Sequence, residues 1–288
     1  GNIILVSTPH GKAGYFWECY KDKTFKTFHI NSEQVIRERK ISSSWTLFQR
    51  EGALAHLEAE KRKMSSLQYA QEYMGEFIEQ LRQFFSDELI QKCMTLKRRE
   101  SLINGAYFLG VDIARLGENE STFQILEKID REHLEQRENI ITIKTRLNET
   151  TNKILELDRQ YKFKAIYLDD GGIGVGVFDY LLENDQTKRK VIALNNRARP
   201  LDREEQHKKK ILKEDLYNNL LMLMEQDRIK LLDDDEIFQS FKSVQYEYML
   251  EVGALTRLRI FGNYTHIAEG LIRAAWGSKD KSLNIWIR

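Results

Sequence analysis

The stretch Tyr107-Phe108-Leu109-Gly110-Val111-Asp112-Ile113-Ala114-Arg115-Leu116-Gly117 constrains this chain more than any other. An apolar run of strand formers climbs to Asp112. The chain then breaks at Gly117 before a second apolar run, Thr122 to Ile129. This pattern predicts a buried strand that ends in a carboxylate. An acid at the tip of a central strand is held rigidly at a sheet edge that substrate can reach. Its value depends on whether other elements bring carboxylates to the same place.

The following residues supply candidates. Tyr107 to Ile113, Thr122 to Lys128 and Ile140 to Thr145 read as three strands joined by short polar turns, an antiparallel meander. A helix follows, with Ile154, Leu155, Asp158 and Tyr161 on one side. Ala165-Ile166-Tyr167-Leu168-Asp169-Asp170 is then a strand that again ends in acids. Strand, helix, strand implies a parallel crossover, which sets Asp112 and Asp169 at the same end of adjacent strands. The glycines from Gly171 to Gly176 do not match a dinucleotide fingerprint, which needs GxGxxG after a first strand. They read as a tight turn that leaves the carboxylates uncovered. Asp170 is either a rival ligand or a helix cap.

Val191 to Leu194 reads as a fifth strand, and a long helix is expected from about Arg203 to Asp227. Arg197, Arg199, Lys208, Lys209, Lys210 and Lys213 form a local basic patch suited to phosphates. A solvated helix face is the alternative, since Glu204, Glu205, Glu214 and Asp215 dilute the charge. Arg228 to Leu232 reads as a short strand, Asp233 to Glu236 as a helix start, and Val244 to Phe261 as a hairpin around Gly253. The last helix spans Tyr264 to Trp276. His266, Glu269 and Arg273 share one face of it. Glu269 is either a third acid at the sheet end or a partner for Arg273.

Composition limits the partners. The net charge of the 288 residues is +1, so no global positive field exists and nucleic-acid contact must rest on local patches. The two cysteines, Cys19 and Cys93, have no metal-type spacing. No apolar run approaches the ~20 residues that span a bilayer. No GxxxxGK[ST] loop occurs, so ATP hydrolysis by this chain alone is not expected.

The first hundred residues are of a different kind. Asn2 to Val6 reads as a buried strand that runs into Ser7-Thr8-Pro9-His10-Gly11, which suggests material upstream. Phe25 to Ile30 alternates like another strand. Gly52 to Met64 is helical in composition. Tyr69, Tyr73, Phe77 and Leu81 recur at helical spacing, and Asp87 to Met94 forms a third helix. The polar run Lys97 to Asn104 precedes the strand that leads to Asp112.

Three motifs in order carry a resemblance: Ile4-Leu5-Val6-Ser7-Thr8-Pro9-His10-Gly11, then Gln71-Glu72-Tyr73-Met74-Gly75-Glu76-Phe77 leading to Phe84-Phe85, then Gly110-Val111-Asp112-Ile113-Ala114. In this sequence they resemble the large terminase subunit of tailed viruses. That family joins an ATPase motor to a ribonuclease H-like nuclease through a linker. The resemblance implies an α/β fold with a mixed sheet flanked by helices, preceded by a small α/β remnant and a helical linker. Residues 1–60 would be the motor remnant, 61–104 the linker and 105–288 the nuclease. Asp169, Gly172 and Gly174 match the family's Asp-x-x-Gly-x-Gly turn.

Two departures stand out. Glu269 occupies the helix where the family usually has Asp after a His, and Asn119 stands where an extra Asp is common, flanked by Glu118 and Glu120. The resemblance further implies action in the host cytoplasm, with the viral portal and small terminase subunit as partners and double-stranded concatemeric DNA as substrate.

Phosphodiester hydrolysis explains why carboxylates should gather. Two hard cations, Mg²⁺ or Mn²⁺, can activate the nucleophile and stabilise the leaving oxyanion. Asp112, Asp169 and Glu269 are the expected ligands, with Asp112 bridging and His266 orienting a ligand or moving a proton. Without metal, repulsion among the three should raise at least one carboxylate pKa. The expected activity is metal-dependent endonuclease. The rivals are a junction resolvase or transposase-type nuclease of the same fold, and a degenerate provirus module that only binds DNA or a portal.

Overall fold

Helix caps in the first part of the chain are spelled out residue by residue. The structure is a computed structural model that describes residues 3–7, 9, 14–77, 81–98, 105–113, 120–171, 174–198, 212–250, 256–277 and 279. Helices α1 (Gly14–Lys21), α2 (Ser32–Glu38), α3 (Leu47–Lys63) and α4 (Ser66–Glu72) come first. The Asn31 side chain accepts the Gln34 amide at the start of α2, and Ser65 accepts that of Gln68 at the start of α4. Thr46 and Gln49 cap α3 reciprocally. That cap is why α3 begins at Leu47 and not at Gly52. Helix α4 stops at Glu72, so Tyr73 and Phe77 fall beyond it, and Leu81 opens strand β1 (Leu81–Gln83).

Two strand expectations are overturned here. Residues 3–7 and 25–30 form no ladder, and Ile3, Ile4 and Val6 are exposed. Alternating or apolar sequence becomes a strand only when another strand takes up its backbone groups. Neither segment pairs with a strand among the described residues. The late hairpin does form: β9 (Gln245–Leu250) and β10 (Thr256–Phe261) pair antiparallel, and β1 joins the free edge of β9. Gly253 lies outside the described residues. Residues 1–84 and 245–261 make one compact unit, and 85–244 with 262–288 make the other.

The second unit is built on a seven-stranded mixed sheet. Its strands are β2 (Met94–Leu96), β3 (Ala106–Asp112), β4 (Glu120–Lys128), β5 (Leu134–Ile143), β6 (Ala165–Leu168), β7 (Val191–Ala193) and β8 (Ile229–Leu232), in the order β2-β8-β5-β4-β3-β6-β7. The meander β3-β4-β5 is antiparallel, and β6 lies parallel beside β3, both as the sequence predicted. Its helices are α5 (Asp87–Cys93), α6 (Leu147–Tyr161), α7 (Gly174–Glu183), α8 (Leu212–Glu225), α9 (Asp235–Ser243) and α10 (His266–Trp276). Helix α10 starts at His266 and not at Tyr264. Residues 203–211 of the helix expected from about Arg203 to Asp227 lie outside the described residues.

Strand parity decides which face carries chemistry. Tyr107, Leu109 and Val111 of β3 share a core with Ile166 and Leu168 of β6 and with Ile154, Leu155, Tyr161, Val177 and Leu181 of α6 and α7. Burying each such aliphatic side chain contributes about 1.5–3 kcal/mol. The period of two turns Phe108, Gly110, Asp112 and Asp169 to the opposite face, toward α10. Helix α10 lies unusually close there. A Cβ on Gly110 would meet the Gly270 carbonyl oxygen at 2.0 Å, and one on Gly270 would meet Gln124 Cγ at 2.7 Å. Glycine at both positions lets the helix seat its polar face over the strand tips.

Candidate active site

Asp112 and Asp169 arrive side by side because β3 and β6 are parallel and in register, with Val111 opposite Leu168. One guanidinium binds both. Arg273 Nη2 donates to Asp169 Oδ2 at 3.0 Å, and Nη1 lies 3.5 Å from Asp112 Oδ1. The outer oxygens have their own contacts. His266 Nδ1 is 2.8 Å from Asp112 Oδ2, and the Gly171 amide donates to Asp169 Oδ1 at 2.8 Å. The side chains of Asp112 and Asp169 keep 18% and 24% of their surface open, so solvent and ligand reach them. The hydrogen bond to Asp112 raises the His266 pKa above its ordinary value, against the opposing effect of burial. Thr122 donates to the His266 carbonyl at 2.8 Å, which ties β4 to the start of α10.

Glu269 sits in a sealed pocket behind this pair. Its Oε1 accepts from Tyr217 OH at 2.9 Å and lies 2.9 Å from Lys213 Nζ. Its Oε2 accepts from Asn196 Nδ2 and from Arg273 Nη1, both at 3.1 Å. Arg273 also donates to the Glu269 carbonyl at 2.7 Å, and its side chain is fully buried. Burial pushes the Glu269 carboxyl up, but Lys213 and then Arg273 outweigh it and hold the group well below the usual carboxylate range. The expected rise in a carboxylate pKa is therefore reversed at this acid. The cluster brings its own cations.

The remaining candidates divide clearly. Glu120 opens β4 at the same sheet end. Its Oε2 is buried with no hydrogen-bond partner among the described residues, and so is Asp170 Oδ1. Burial and then the Glu120 charge push the Tyr264 hydroxyl up to about 12. Lys213 faces Glu269, whereas Arg197 is exposed. Glu118, Asn119, Arg199, Lys208, Lys209 and Lys210 lie outside the described residues. Sequence reasoning missed Asn196 and Tyr217 and saw Arg273 only as a partner for Glu269. The spacing of Glu269 and Arg273, one helical turn apart, was the available signal.

The donor set suits a hard cation in part. Among the described residues, no three His, Cys, Asp or Glu side chains converge to hold a metal ion. A two-carboxylate rim that keeps exposed surface, with one contact on each oxygen, fits Mg²⁺-type binding, in which water and substrate oxygens complete the coordination. Asp112 and Asp169 would hold such an ion, with Asp170 beside them.

The architecture of the second unit, a mixed sheet with acids at adjacent strand tips and helices on both faces, is ribonuclease H-like. Solved structures of viral large terminases share it. The large terminase nuclease from thermophilic phage G20c with bound magnesium matches with a TM-score of 0.50 at 16% identity, over 67% of this chain and 96% of that one. The large terminase from another thermophilic bacteriophage matches with a TM-score of 0.59 at 13% identity, over 92% of this chain. Its complex with ATP-gamma-S gives the same values. The chain spans 60% of the length of that second terminase. These likenesses show the fold. No protein-family model matches the sequence, and neither does any curated protein. Among the described residues, no helix is long and apolar enough to cross a membrane.

Proposed function

We propose that this chain is the nuclease part of a viral DNA-packaging terminase, a divalent-metal-dependent endonuclease that cleaves concatemeric double-stranded DNA. The observation that carries the reading is the pair Asp112 and Asp169, set on adjacent parallel strands, bound by one guanidinium and still open to solvent. The fold likeness to the G20c nuclease, which was crystallised with magnesium, supports it. Mg²⁺ or Mn²⁺ is the proposed cofactor. When bound, it would favour ionisation of the attacking water and stabilise the leaving oxyanion.

The chain's own groups do the rest. Asp112 and Asp169 would hold the ion next to the scissile phosphate. His266 keeps Asp112 oriented through Nδ1, and Arg273 fixes the two carboxylates relative to each other. Arg197, Arg199 and Lys208 to Lys210 are proposed to meet DNA phosphates. The proposal includes residues 1–60 as a motor remnant, 61–104 as linker and 105–288 as nuclease, and it includes the portal and small terminase subunit as partners in the host cytoplasm. The two-ion scheme needs a third ligand, for which Glu269 is the candidate.

A plasmid-nicking assay with Mg²⁺ or Mn²⁺ tests the reading. Cleavage that disappears with chelator and with Asp112→Ala supports it. An inactive wild-type chain that still binds DNA would leave only the degenerate module. Preference for branched over linear duplex would point to a resolvase instead.

A further inference from the structure

Glu269 has no lone pair left to offer. A carboxylate has about four acceptor positions, and Tyr217, Lys213, Asn196 and Arg273 occupy them. Arg273 sits where the three acids meet. Its Nη1 faces Glu269 and Asp112, and its Nη2 holds Asp169. The planar fork matches carboxylates on several sides, which a compact ammonium cannot do.

Charge points the same way. Asp112, Asp169 and Glu269 contribute three negative charges, while Arg273 and Lys213 contribute two positive ones. A second divalent cation seated between Glu269 and the aspartates would face the buried Arg273 guanidinium at contact range, where Glu269 has no lone pair left to hold it, and such repulsion is strong away from bulk water.

We propose that Arg273 is a resident counter-ion standing in place of a second divalent cation, so that the cluster binds one ion, on Asp112 and Asp169. The inference rests on the metal-dependent reading above and revises its ion count. Arg273 is thus a positioning residue: it keeps the two aspartates gathered while the metal exchanges, and it keeps Glu269 out of the coordination sphere.

Mn²⁺ binding to the full chain tests this, by calorimetry and by electron paramagnetic resonance, alongside nicking. Wild type should bind one Mn²⁺ per chain, and Asp112→Asn should abolish that binding. Arg273→Gln should bind Mn²⁺ at least about tenfold more tightly or take a second ion, since one opposing charge at contact range is gone. Arg273→Lys, which keeps the charge, should retain a count of one. If Arg273→Gln does not fold, the wild-type and Arg273→Lys counts still decide.

Two ions of similar affinity in an active wild-type chain would overturn the inference and leave the nuclease reading intact. Unchanged count and affinity in folded Arg273→Gln would do the same. No Mn²⁺ binding by any of these chains would overturn both.

Discussion

The acid cluster has two sides built on opposite terms. On the rim, Asp112 and Asp169 share one guanidinium and keep open surface. Behind them Glu269 is sealed, with four donors on its two oxygens. A carboxylate that is exposed and incompletely paired can bind a ligand. One that is buried and fully paired can no longer do so, but its loss strands the cations around it. Residues that look alike as acids in the sequence should therefore fail differently: rim changes should cost activity, and pocket changes should cost the fold.

The largest effects separate the two sides. Asp112→Asn should cut nicking by on the order of 10³-fold, several kcal/mol of transition-state stabilisation, while leaving the urea midpoint nearly unchanged. Glu269→Ala should do the reverse in kind. Removing one partner of a buried charge network costs about 3–5 kcal/mol, and here Lys213 loses its carboxylate while Arg273 keeps only Asp112 and Asp169. Equal loss of stability in the two variants would erase the distinction.

The pocket also has a pH signature. The folded-state pKa of Glu269 is depressed below 4.5, so its stabilisation is fully present above about pH 4.5 and is lost as pH falls through the folded value. Unfolding midpoints followed from pH 6 to pH 2 should fall steeply in wild type and more shallowly in Glu269→Gln. Parallel curves would mean that the acid limb belongs to other groups.

Much of the rim was legible in the sequence, because strand parity and a parallel crossover are local rules. An apolar run that ends in Asp112, a helix, and a second run that ends in Asp169 imply neighbours at one sheet end. Of the pocket, only the Glu269–Arg273 pair, one helical turn apart, was legible. Asn196 follows β7, Lys213 and Tyr217 lie on α8, and Glu269 and Arg273 lie on α10. No spacing rule joins three separate elements. The false strands at 3–7 and 25–30 failed for a related reason: composition proposes a strand, but pairing makes it.

The seat that holds the two sides together gives the next smaller effect. Gly270→Ala places a methyl group 2.7 Å from Gln124 Cγ, 3.1 Å from Thr122 Oγ1 and 3.3 Å from the Gly110 carbonyl oxygen, so its two tightest contacts are with side chains. The expected cost is about 1–3 kcal/mol from overpacking, with reduced nicking as α10 lifts His266 from Asp112. Gly110→Ala meets backbone, the Gly270 carbonyl and the Ala274 amide, and should cost more than Gly270→Ala. Thermal melts of the two variants rank them, and the reverse order would mean that α10 shifts more easily than the close contact implies.

A carboxylate outside the cluster shows what a depressed pKa means without buried cations. Asp130, in the exposed turn between β4 and β5, is held at about 2, first by the backbone amides of Glu132 and His133 and then by the His133 imidazole. Its contribution is present above pH 3.8 and is lost as pH falls through about 2. Because the turn is open to water, that contribution should be local. A carboxyl NMR titration should place the Asp130 midpoint near 2. Asp130→Asn should speed amide exchange at Glu132 and His133 while the global melting temperature stays put. If the melting temperature fell as far as in Glu269→Ala, burial would not be what separates a local acid from a structural one.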